Sequence, residues 1–159
     1  MEGHPECPER VNAAYSRLKQ EEFTFIEPRP CTEGDILLCH SKDLLQKVQS
    51  GDFLDADTPN LPNIYYYASL SAGGAIEAAL SSLEGEKSFS LMRPPGHHAT
   101  HNRLGGFCYF NNVAIATMRA REVVGKVAIV DLDCHHGNGT QDIFLGRKGI
   151  IYISLHQSP

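Results

Sequence analysis

From residue 87 onward, short Val/Ile-rich runs alternate with helical stretches, and that rhythm restricts the fold more than any other feature of the chain. Residues 88–92 read as a strand, 111–124 as a helix, 126–131 as a strand, 140–145 as a short helix and 150–155 as a strand. Strands joined through helices run parallel, because a parallel partner needs a crossover and not a hairpin. The expected fold is therefore α/β, a parallel sheet with helices on both faces. The strands are near-continuous apolar runs, the pattern of a sheet covered on both sides.

The first half reads as mostly helical. Residues 8–21 suit a helix, with Pro8 at a first helical position, Glu9 complementing the N-terminal dipole and Val11, Ala14 and Leu18 at helical spacing. Residues 23–26 form a strand-like run stopped by Glu27-Pro28-Arg29-Pro30. Thr32 and Asp35 make a capping signal for a short helix through Leu38. Ser41 caps a helix over 42–50 that ends at Gly51. Residues 52–63, rich in Asp, Pro and Asn, read as a surface loop. A long helix over 64–83 contains Gly73 and Gly74. Each glycine costs a helix about 1 kcal/mol relative to alanine, so the pair implies close packing of another backbone.

Composition narrows the class. With 159 residues, 42% hydrophobic and 21% charged, the chain has the length and balance of one globular domain, which excludes disorder, collagen and coiled coil. Apolar runs such as 127–130 are far too short to cross a bilayer, and the polar start lacks a secretory hydrophobic region. Fourteen basic against nineteen acidic residues give a net charge of −5, which disfavours a nucleic-acid partner. Five cysteines, an odd number with no C-x-x-C pair and no export signal, fit a reduced, cytoplasmic compartment and argue against a cysteine zinc finger. Cys108 and Cys134 sit in apolar neighbourhoods and read as small buried fillers.

Histidine is where chemistry concentrates. Five of the eight (His97, His98, His101, His135, His136) fall within forty residues. Ligand sites in open α/β sheets lie beyond the carboxyl ends of the strands. Those ends carry Arg93-Pro94-Pro95-Gly96-His97-His98, then Asp131-x-Asp133-x-His135-His136-Gly137-x-Gly139, then Ser154-Leu155-His156. If strand geometry continues, Asp131, Asp133 and His135 share one side. A carboxylate and an imidazole there can bind one divalent ion, with zinc suited and iron or cobalt accommodated. The plainer reading, that Asp131 only ends a strand and caps a helix, does not explain the rest of the motif. The turn at Pro94-Pro95-Gly96 would hold the His97-His98 rings in place. Beside a metal, that pair suits a general base and its electrostatic partner; alone, it suits a solvated loop. Gly105, Gly106 and Phe107 offer backbone and an aromatic ring nearby, although Phe107 equally suits core packing. Two weaker signals are set aside. Asn138-Gly139-Thr140 matches a glycosylation sequon without any sign of secretion, and Gly137-Asn138-Gly139 lacks the third glycine of a dinucleotide loop.

Together these stretches resemble the zinc-dependent histone deacetylase superfamily, which includes acetylpolyamine amidohydrolases and acetoin-utilisation proteins. The matching residues are His4-Pro5-Glu6-x-Pro8-x-Arg10, Arg93 to His98, Gly105 to Asn112, Asp131 to Gly139 and Ser154-Leu155-His156, in the family order. The resemblance implies that Asp133 and His135 are two of three protein ligands to a catalytic zinc. It makes His98 the general base and acid, and His97, supported by Asp131, a stabiliser of transition-state charge. Asn138 would orient His98; as a neutral amide it favours a neutral ring. The Gly106 carbonyl and the Phe107 ring would hold an acetyl-lysyl stem, and Arg10 would lie near the foot of the cavity. Asp131, Ser154 and the carbonyls of Asp133, His135 and Leu155 would bind a structural potassium ion.

The implied reaction is hydrolysis of an acetyl-amide, on an acetylated lysine peptide or an acetylpolyamine, to acetate and a free amine. The family's third zinc ligand, an aspartate, and its catalytic tyrosine are expected later than Pro159. On that reading residues 1–159 are the N-terminal part of one catalytic domain, and are inactive alone. The competing expectation is a truncated, non-catalytic binding module of the same fold. Nothing in the sequence sets the oligomeric state.

Overall fold

The computed structural model describes residues 6–158, so His4 and Pro5 of the first motif lie outside the described residues. The chain begins with α1 (Pro8–Leu18), which has Pro8 in its first turn and buries no residue. It stops three residues short of the expected end, because residues 19–22 turn away. Residues 23–26 are not a strand. The segment has no ladder partner among the described residues, and Phe23 and Ile26 lie exposed.

Capping chemistry sets the next two helices where the sequence places them. At α2 (Glu33–Leu37), Thr32 Oγ1 accepts from the Asp35 N–H at 3.1 Å while Asp35 Oδ2 accepts from the Thr32 N–H at 2.8 Å. At α3 (Lys42–Ser50), Ser41 Oγ accepts from the Leu44 N–H, and Gly51 closes the helix at φ +69°, in the left-handed region. The long α4 (Ile64–Leu83) packs on α5 (Asn112–Ala120). Asn111 caps α5 through Oδ1, and the helix ends four residues before the expected 124, in a run of turns.

The glycine pair in α4 has the expected purpose. A Cβ at Gly73 would collide with the Arg29 carbonyl oxygen, which is backbone and cannot yield. At Gly74 the neighbours are the Met92 and Ser90 side chains, which can. Gly73→Ala should therefore destabilise the fold by about 1–3 kcal/mol, although alanine is the better helix former. Thermal melts of both alanine variants check this: a Gly73→Ala melt at or above the unaltered one would contradict the packing argument.

The sheet is a parallel pair, β1 (Val127–Asp131) and β2 (Ile150–Ser154), in register Val127↔Ile150 through Asp131↔Ser154. The crossover between them contains α6 (Asn138–Phe144), which starts two residues earlier than expected. Residues 88–92 run without a strand ladder, contrary to the sequence reading. An open groove of about 460 Å³, lined by Ser90, Met92, Ala128, Val130 and residues of α4 and α5, lies between that segment and β1. No ladder joins the two across it.

Ile129 is buried with Ile36, Leu44, Val48, Tyr109, Phe110, Ile115, Ile143 and Phe144 in the core. Along the strands the alternate residues Val130, Ile151 and Ile153 stay exposed, so among the described residues one sheet face is covered and the other is open. No described helix is long and apolar enough to cross a membrane.

Candidate functional site

Three segments meet at the carboxyl end of β1. The first is the loop over 93–99, anchored where Pro94 O accepts from Ser71 Oγ at 2.8 Å and Asn112 Nδ2 at 3.0 Å. The second is the first turn of α6, whose Thr140 N–H donates to His97 O at 3.1 Å. Gly139 permits this docking, since a Cβ there would strike the Ala99 backbone. Asn111, fully buried, ties the same place together by donating through Nδ2 to Ala99 O and Thr140 Oγ1, both at 3.1 Å. The third is the stretch that follows Asp131.

That stretch is not continued strand. The ladder ends at Asp131, and two side-chain-to-backbone turns carry the chain onward. Asp131 Oδ1 accepts from the Asp133 N–H at 3.1 Å, and Asp133 Oδ1 accepts from the His135 N–H at 2.8 Å. Asp131, Asp133 and His135 are still presented in succession, but by Asp turn chemistry and not by the alternation of a pleat.

Each histidine of the pair has one ring nitrogen committed. His97 Nδ1 lies 3.0 Å from Asp131 Oδ2, and His98 Nδ1 lies 2.7 Å from Asn138 Oδ1. Both partners accept through oxygen, so each ring carries its proton on Nδ1 and leaves Nε2 as the open nitrogen. The rings are 4.1 Å apart, and His97 Nε2 stands 3.9 Å from Asp133 Oδ1. Burial lowers the His98 pKa against the opposing hydrogen bond to Asn138, which favours the neutral imidazole. Burial works against charge on Asp131, yet hydrogen bonds from His97, the Asp133 amide and Tyr152 outweigh it and hold the carboxyl below its usual range. Asp133 is held low in the same way, chiefly by the His135 N–H.

The donor set fits a metal ion. His135 Nδ1 and Asp133 Oδ1 are 3.1 Å apart, close to the ~3.4 Å that separates two tetrahedral ligands with bonds of about 2.1 Å. Ligand atoms of Asp133, Cys134 and His135 all lie within 4.8 Å of one another. Cys134 is exposed, which corrects its expected burial: it sits on a turn beyond the strand and points away from the core. Cys108 is buried as expected, with its thiol pushed up to about 12 by desolvation.

The remaining expected residues distribute unevenly. A Cβ on Gly106 would strike the His98 ring, so this backbone lies directly against the pair, at φ +55°. Phe107 follows at φ +69°, its N–H donating to Thr58 Oγ1. Arg10 is exposed on α1 and pairs with Glu6, which also pairs with Arg93 at the start of the histidine loop. Ser154 stands opposite Asp131 in the register with its Oγ 2.8 Å from His156 Nδ1, and the Leu155 N–H donates to Asp131 O. His101, part of the sequence cluster, instead bonds Cys39 O through Nδ1. One residue of this site escaped the sequence reading. Tyr152, which lies inside the strand predicted over 150–155, donates its hydroxyl to Asp131 Oδ2 at 2.8 Å.

Comparison with known proteins finds the sequence pattern described as "Histone deacetylase domain" over residues 4–159. A "Probable deacetylase" of Methanothermobacter thermautotrophicus is 42% identical over 167 residues, spanning 99% of this chain and 50% of its own. A "Histone deacetylase-like amidohydrolase" of Pseudomonas aeruginosa is 39% identical, spanning 98% of this chain and 44% of its own. Among solved structures, the crystal structure of the HDA15 HD domain superposes with a TM-score of 0.91 at 35% identity, over 96% of this chain and 47% of that one. The chain thus spans about half the length of these relatives.

Proposed function

Because this chain belongs to the histone deacetylase domain family, we propose that it supplies the histidine pair and two metal ligands of a zinc-dependent deacetylase acting on an acetylated lysine or polyamine. The supporting observation is the side-by-side pair of rings, each with its proton on Nδ1, next to the Asp133 and His135 donors.

Asp133 Oδ and His135 Nδ1 would hold the zinc, with a third protein ligand from outside these 159 residues. A zinc ion held there would supply Lewis acidity toward the acetyl carbonyl and toward a water. His98, neutral and oriented by Asn138, takes a proton at Nε2 as water attacks the acetyl carbon. It returns that proton to the departing nitrogen as the C–N bond breaks, leaving acetate and a free amine. His97, oriented by Asp131, would stand beside His98 as the second imidazole of the pair, 4.1 Å from it. Gly106 and Phe107 would line the path of the acetylated stem, and Arg10 acts from further away through Glu6 and Arg93. Asp131, Ser154 and Leu155 would form part of a potassium site that stiffens the ends of β1 and β2. The open sheet face favours a second reading, a non-catalytic module that binds a partner there.

Acetate release by the protein that carries this domain separates the two readings. We expect a chelator to abolish release and added zinc to restore it, with acetyl-lysine peptides and acetylpolyamines assayed in parallel to identify the substrate. Release that persists after complete metal removal would refute zinc dependence. No release from either substrate class would favour the binding module. The 159-residue chain alone is expected to release none, since it brings only part of the ligand set.

A further inference from the structure

We propose that Tyr152 is a positioning residue that acts through Asp131 to fix the orientation of His97 and hold its Nδ1 hydrogen bond closed. A carboxylate bonded to one imidazole is free to turn about its Cβ–Cγ axis, offering either oxygen. In this site both oxygens are pinned. Asp131 Oδ1 accepts from the Asp133 N–H at 3.1 Å. Oδ2 accepts from His97 Nδ1 at 3.0 Å and from the Tyr152 hydroxyl at 2.8 Å. The main chain is held too, through the Leu155 N–H donated to Asp131 O at 3.0 Å.

The Tyr152 hydroxyl comes from the neighbouring strand. Tyr152 pairs with Ile129, two residues before Asp131, and its ring reaches along β2 to the carboxylate. Gly137 makes room for the meeting: a Cβ there would strike both the Tyr152 hydroxyl and Asp131 Oδ2, and would lie 3.1 Å from His97 Nδ1. Donors from two segments, His97 and Tyr152, therefore converge on Oδ2, and Gly137 leaves room for both. With the carboxylate fixed and carrying no proton, His97 must keep its proton on Nδ1, and Nε2 stays directed towards Asp133. Phenylalanine would fill the same space without the hydroxyl that pins Oδ2.

The role rests on the reading of His97 as part of the working pair, but its test does not require turnover. In the chain with labelled histidines, His97 is expected to show the Nδ1–H form in both the unaltered protein and Tyr152→Phe, since the Asp131 carboxylate accepts in both. With the hydroxyl gone the carboxylate can turn, so the His97 Nδ1 proton should exchange with water about tenfold faster in Tyr152→Phe. The melting temperature of the variant, measured alongside, separates this from general loosening. An unchanged His97 Nδ1–H exchange rate in a folded Tyr152→Phe would overturn the proposal. The unaltered chain gives a second check: the Tyr152 hydroxyl proton should exchange slowly with water, and rapid exchange would equally overturn it. In the active protein, Tyr152→Phe should lower kcat about tenfold with KM little changed. If the unaltered protein shows no deacetylation, the functional reading fails while the exchange measurement still decides the role of Tyr152.

Discussion

Replacing His98 by alanine should lower deacetylation by about 10²–10⁴-fold, the range associated with loss of a positioned general acid–base group. The effect is expected in kcat, because the ring works on the proton in flight. His98 is suited to that task by two features of the fold. Asn138 Oδ1 accepts its Nδ1 proton, which leaves Nε2 open, and burial lowers its pKa, which favours the neutral ring. An aspartate in place of Asn138 would raise the basicity of the ring by stabilising its cation. The measurement is acetate release by the complete protein, the variant against the unaltered form, with circular dichroism to show that both are folded. Equal rates would remove His98 from the mechanism.

A second large effect is expected in stability, at a histidine outside the His97-His98 pair. His40 is fully buried and both its ring nitrogens are used. Nε2 accepts from the Asn111 N–H at 2.8 Å, which leaves the proton on Nδ1 to be donated to Thr100 O at 2.9 Å. A second proton would set N–H against N–H in the core. Burial accordingly lowers its pKa to about 4, from an ordinary value of 6.5. Folding thus favours the neutral ring. The stabilisation is complete above pH 6.5 and is lost as pH falls towards 4, by about 3 kcal/mol for this shift. Urea midpoints at steps from pH 7.5 to 4 should fall steeply for the unaltered chain. In His40→Gln the midpoint should be lower at pH 7.5 and the slope across that window shallower. Parallel slopes in the two chains would show that His40 does not carry the dependence.

His40 also shows what residue types leave unsaid. The sequence drew attention to histidines by their crowding, and crowding is a poor guide to role. His101, inside the cluster, is a backbone tether to Cys39 O, and His40, outside it, joins the start of α3 to the start of α5. The residues that would carry the chemistry were legible for a different reason. Asp131, Asp133, His135 and the His97-His98 pair stand at the ends of apolar runs with donor types that few other roles require. Cys134 and residues 88–92 were misjudged because local apolar character was taken for burial and pairing, and both depend on what lies alongside. The groove beside β1 leaves 88–92 without a ladder, and the turn after Asp131 sends Cys134 to the surface.

The sequence by itself determined the features whose causes lie within a few residues of one another. Thr32 and Asp35 close a capping box, and Ser41 and Gly51 bound α3. It also supplied the donor types for a metal-assisted hydrolysis and the α/β order of the second half. Only the tertiary structure decided which nitrogen of each histidine in the His97-His98 pair is free. His97 depends on Asp131 and His98 on Asn138, and both partners lie more than thirty residues along the chain. The parallel register brings Tyr152 to the same carboxylate. A side chain fixes its neighbours in sequence through short, nearly obligatory geometry. The proton on an imidazole is fixed by whichever acceptor the folded chain delivers, and that delivery is a property of the packed whole.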